Sequence, residues 1–70
     1  MDLDLYGIAD EIDQEDILPN FSGTEGEGDN CLRIDYGNEQ SVWLYKNGEV
    51  TGKVGPKAKK FLTGKGFKFA

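Results

Sequence analysis

Thirteen carboxylates, seven lysines, one arginine and one thiol carry nearly all the reactive side-chain chemistry of this 70-residue sequence, and histidine is absent. Without an imidazole, the commonest general base, the commonest metal ligand and the Ser or Cys triads all fall away. Carboxylate and lysine chemistry remains. A chain this short can hardly build a core and also enclose the pocket of about 300 Å³ that a small molecule needs. No catalytic residue, cofactor site or metal site is therefore expected, and the protein reads as a non-enzyme.

Three local patterns invite a sharper chemistry and fail. Glu25, Glu27 and Asp29 alternate as calcium ligands do. Yet a calcium loop wants glycine at its sixth position and glutamate at its twelfth, and counting from Glu25 these are Asn30 and Tyr36. The glycines of GKVGPKAKK and TGKGF do not reach the phosphate-loop spacing of two glycines five apart before Lys and Ser or Thr. Cys31 stands beside Asp29 and Asn30 with no basic neighbour to activate it, so it reads as an inert thiol. A lone cysteine also closes no internal disulfide, which favours a reducing compartment.

Charge is the strongest signal. Residues 1–40 hold twelve acids and one base, Arg33, for a net −11, whereas residues 41–70 hold Glu49 and seven lysines for +6, giving −5 for the chain. Such asymmetry points to electrostatic recognition, to attraction between the two halves, or to both. Asp10, Glu11, Asp13, Glu15 and Asp16 are the candidate acidic contact surface. They are either a solvated helix face or an imitation of nucleic-acid phosphates. Lys53, Lys57, Lys59, Lys60, Lys65 and Lys68 are the basic counterpart. Direct binding of bases would favour arginine and exposed aromatics, and this segment has no arginine.

Several elements must position these groups. Leu5, Ile8, Ala9 and Ile12 recur at helical spacing, predicting an amphipathic helix over about residues 4–15 that Asp2 or Asp4 caps and Pro19 ends. Gly7 and the acids near the carboxyl end argue against it, and LDLY as a short edge strand is the alternative. Residues 19–30, rich in Gly and acids, read as a loop. From Cys31 the period becomes two, predicting strands over about 31–36, 41–46 and 49–54. Asn47-Gly48 joins the last two as a type I′ hairpin. Gly55-Pro56 opens a second helix over about 56–63 with Gly64 as its carboxyl cap, and Phe67 with Phe69 marks a short strand at 66–69. The expected fold is a single small α+β domain: an antiparallel meander of three to four strands with an N-terminal helix and a short C-terminal helix. Its expected core is Leu5, Ile8, Ile12, Phe21, Leu32, Ile34, Val42, Leu44, Val50, Val54, Phe61, Leu62 and Phe67.

Val42-Trp43-Leu44-Tyr45 is apolar on both faces of its strand. Either one helix covers each face and both aromatics are core, or Trp43 and Tyr45 stand partly exposed as the anchor of an interface or a homodimer seam. The leading expectation is a small acidic, cytoplasmic protein that regulates or inhibits a larger one, as some phage-encoded proteins do, sharpened to a nucleic-acid mimic in the basic groove of a nucleic-acid-handling enzyme. Asp10, Glu11, Asp13, Glu15 and Asp16 would supply the charge, and Trp43 with Tyr45 the apolar contact. The alternative is nucleic-acid binding by the lysine-rich end. No stretch nears the roughly 20 apolar residues of a membrane span, and the amino terminus lacks the pattern of a signal peptide.

Overall fold

In the computed structural model, which describes residues 3–28 and 30–69, helix α1 (Leu5–Gln14) precedes four strands and a closing helix. The strands are β1 (Gly23–Gly26), β2 (Cys31–Tyr36), β3 (Gln40–Tyr45) and β4 (Val50–Thr51), and the last helix is α2 (Pro56–Gly64). The sheet is an antiparallel meander in the order β1-β2-β3-β4. This is the α+β architecture that the sequence leads one to expect.

Asp4 caps α1 by accepting the Gly7 N–H at 3.1 Å. The glycine that looked out of place in a helix has a reason: a Cβ at residue 7 would sit 2.4 Å from the Asp4 carboxylate. Pro19 does not end the helix. It ends earlier in a Schellman motif, where Asp16 takes a left-handed φ of 54°, the Ile17 N–H reaches the Ile12 carbonyl at 3.0 Å and the Asp16 N–H that of Asp13 at 3.4 Å. The motif recurs after α2 with Gly66, φ 107°, as the left-handed residue and Phe67 bonded back to Leu62 at 3.0 Å. Gly64 therefore stays helical, contrary to its expected role as the cap. In both motifs the residue after the left-handed one, Ile17 or Phe67, folds down into the core.

Three strand expectations change. Residues 19–30 are not all loop, because Gly23–Gly26 pairs with Leu32–Asp35 as the edge strand β1. Backbone hydrogen bonds sufficed, so no apolar alternation announced it. Residues 66–69 do not form a full strand; Lys68 makes one parallel bridge to Glu49 and donates its N–H to the Gly48 carbonyl at 2.8 Å. β4 is also shorter than the expected 49–54, since Gly52 at φ 103° turns the chain away.

The hairpin at Asn47-Gly48 is present with a different turn. Only Gly48 of the pair has a positive φ, 95°. Gly48 N–H bonds to the Tyr45 carbonyl at 2.9 Å and Tyr45 N–H to that of Glu49 at 3.0 Å, a three-residue loop with a bulge glycine rather than a type I′ turn.

One face of the sheet carries the core. Leu32, Ile34 and Tyr36 from β2 and Val42 and Leu44 from β3 are buried against Leu5, Ile8, Ala9 and Ile12 of α1 and Ala58 and Leu62 of α2. Ile17, Leu18 and Phe67 complete the cluster, while Phe21, Val50, Val54 and Phe61 pack around it half-buried. Both helices thus lie on the same side of the sheet.

Candidate functional site on the open face of the sheet

Among the described residues no helix lies over the other face. Strand alternation puts Cys31, Arg33 and Asp35 there from β2 and Ser41, Trp43 and Tyr45 from β3, all half-buried and none in the core cluster. The reading in which one helix covers each face, making Trp43 and Tyr45 core, does not hold. With both short helices on the core face, no element among the described residues covers the other.

The register lines these residues up in rows across the sheet. Glu25, Arg33, Trp43 and Thr51 are successive partners from β1 to β4. Cys31 pairs with Tyr45 in the next row, and Asp35 with Ser41 in the row on the other side.

Arg33 organises the charge. Its guanidinium donates to Asp35 through Nε at 3.0 Å and Nη2 at 3.3 Å, to Glu27 through Nη1 at 3.0 Å, and to Glu25 through Nη2. One arginine among three carboxylates leaves the cluster with two negative charges over. The Ser41 hydroxyl donates to Asp35 Oδ1 at 2.7 Å. That hydrogen bond, and then those from Arg33, hold the Asp35 carboxyl below its ordinary pKa. Bonding to Asp35, with the nearby Glu25 and Glu27 charges, holds the Arg33 guanidinium above its own. On the helix side, burial pushes the Tyr36 phenol up; its hydroxyl donates to the Lys53 carbonyl.

No family model, curated protein or solved structure matches this chain.

The five acids singled out from the sequence lie elsewhere. Asp10 and Asp13 are exposed on α1, Glu15 and Asp16 form its exposed end, and Glu11 pairs with Lys65 at 2.7 Å. They belong to the helix side of the sheet, so the structure does not bring them together with Trp43 and Tyr45 on one flat surface. Among the lysines, Lys65 is committed to Glu11 and packs over the Phe61 ring at 5.4 Å. Lys57 reaches the Asp16 carbonyl at 3.3 Å, and Lys59 lies 5.7 Å from the Phe69 ring centre. Lys53, Lys57, Lys59, Lys60 and Lys68 are exposed, with no carboxylate partner among the described residues.

Glu25, Glu27, Arg33, Asp35 and Ser41 are the site residues that the sequence reading missed. Arg33 and Asp35 were legible as neighbours on one strand face, two residues apart. Glu25 and Glu27 were not, because the strand that holds Glu25 and leads into Glu27 carries no apolar pattern. Among the described residues no cluster resembles a metal site, and no helix is long and apolar enough to cross a membrane.

Proposed function

We propose that this protein is a small non-catalytic binding module that occupies a basic surface of a larger protein through the open face of its sheet. The observation that carries this reading is the placement of Trp43 and Tyr45 on the helix-free face, in line with Arg33 and its three carboxylates. Rigid aromatic rings held on a strand and flanked by charge are the usual anchors of protein interfaces. The surplus negative charge selects a basic partner and speeds encounter with it. A basic nucleic-acid-binding groove is the specific target proposed, since a groove contacts more than one side of its occupant and would also meet Asp10, Asp13, Glu15 and Asp16. Regulation or inhibition follows from occupying such a surface.

The test is capture of partners from lysate of the native cell, with and without nuclease, by the wild-type chain and by Trp43→Ala/Tyr45→Ala. A protein captured after nuclease treatment by the wild type, and lost with the double variant, supports the reading. Equal capture by both chains overturns it. Charge reversal at Asp10, Asp13 and Asp16 then tests the groove: unchanged affinity and salt dependence remove the helix acids from the contact.

The exposed lysines favour a second reading, direct nucleic-acid binding by Lys53, Lys57, Lys59, Lys60 and Lys68 with Lys65 held back by Glu11. It requires retarded mobility of DNA or RNA at low salt that fades steeply as salt rises. Absence of binding at low ionic strength removes it.

A further inference from the structure

The two edges of the sheet are not alike. β4 is two residues long, and Lys68 bridges to Glu49 where the chain enters it. β1 is different. Its pairing puts Glu25 opposite Arg33, and beyond the strand the Glu27 N–H bonds to the Cys31 carbonyl at 3.0 Å. Antiparallel alternation then turns the N–H and C=O of Thr24 and Gly26 away from β2. Both residues are exposed, and among the described residues nothing pairs with those four groups. β1 also carries none of the lysine or proline that commonly blocks an edge.

We propose that β1 accepts an extended segment of a partner protein as a fifth, antiparallel strand, with basic residues at alternate positions and an apolar residue between them. The backbone of Thr24 and Gly26 supplies up to four hydrogen bonds to such a strand. Side chains of the added strand that fall opposite Glu25 and Glu27 lie on the open face, beside carboxylates that outnumber Arg33. Lysine or arginine fits there. The intervening side chain points to the helix side, where Tyr6 is 62% exposed and its hydroxyl lies 3.1 Å from where a Cβ of Gly26 would be. An apolar group there covers the one large hydrophobic side chain that is exposed among the described residues. A second copy of this chain fits less well, because antiparallel pairing about the middle of β1 sets Glu25 against its own counterpart. The inference stands on the β1 backbone, so it does not depend on Trp43 and Tyr45 forming an interface.

The test titrates the ¹⁵N-labelled chain with four short capped peptides at low salt. One alternates Lys and Val, one has the same composition in two blocks, and two are the alternating peptide N-methylated at alternate amides, one in each frame. The expected result is that the alternating peptide shifts the amide signals of Thr24, Glu25 and Gly26 and slows hydrogen exchange at Thr24 and Gly26. One methylated frame should bind about tenfold more weakly or worse, because it loses backbone hydrogen bonds. Thr24→Pro, which removes an outward N–H without touching the β2 ladder, should weaken binding similarly; the methylated peptides keep the test valid if that variant fails to fold. Absence of binding, equal binding by all peptides, or a dimer that Thr24→Pro disperses overturns the proposal. Shifts confined to the neighbours of Trp43 and Tyr45 overturn it too, while leaving the open-face reading intact.

Discussion

The Asp35 carboxylate oxygen that receives the Ser41 hydroxyl at 2.7 Å also receives Arg33 Nε at 3.0 Å, tying β2 and β3 together across the open face. A carboxylate so bonded gives up its charge only at lower pH than it would in the unfolded chain. With the folded pKa depressed, the stability it contributes is present above the unfolded value and is lost as pH falls through the folded one. Carboxyl-detected NMR titration should therefore find Asp35 below the ordinary aspartate range. Ser41→Ala should move it upward, since that hydroxyl is the largest cause of the shift. No change in the variant would show that Arg33 alone sets it.

Trp43 and Leu44 are adjacent in sequence and opposite in role. Leu44 is fully buried among the core residues, so Leu44→Ala should cost about 3 kcal/mol in denaturant unfolding. Trp43 lies outside that cluster, and Trp43→Ala should cost about 1 kcal/mol or less. A Trp43 penalty equal to that of Leu44 would mean that the open face is structural.

Gly52 and Gly64 predict opposite outcomes for the same substitution. At Gly52, φ is 103° and an added Cβ would lie 2.8 Å from the Ser41 carbonyl oxygen, so Gly52→Ala should destabilise by about 2 kcal/mol or more. Gly64 is helical with open space around it. Gly64→Ala should stabilise by about 0.5–1 kcal/mol, read as a rise in thermal midpoint.

Gly7 is coupled to Asp4. Asp4→Ala should cost about 1 kcal/mol through the lost cap. Gly7→Ala alone gains helix propensity but crowds the carboxylate, and the two effects should nearly cancel. In an Asp4→Ala background the crowding is gone, and Gly7→Ala should stabilise by about 1 kcal/mol. A double-mutant cycle measures the coupling directly; equal Gly7→Ala effects in the two backgrounds would refute it.

By itself, the order of residues determined what is local or periodic. Leu5, Ile8 and Ile12 marked α1, Leu32 with Ile34 and Val42 with Leu44 marked the buried face of the hairpin, and Gly55-Pro56 marked the start of α2. Each follows from a repeat that matches a backbone period or from a residue with a restricted φ. Tertiary structure decided the rest. That both helices lie on one side depends on how apolar faces meet in space, and this alone separates Trp43 from the core and places the α1 acids away from it. β1 is held by backbone pairing that any side chain tolerates, so GTEG reads as loop until β2 lies beside it. Arg33 gathers Glu25 and Glu27 beside Asp35 because that edge strand folds back, a contact that no periodicity encodes.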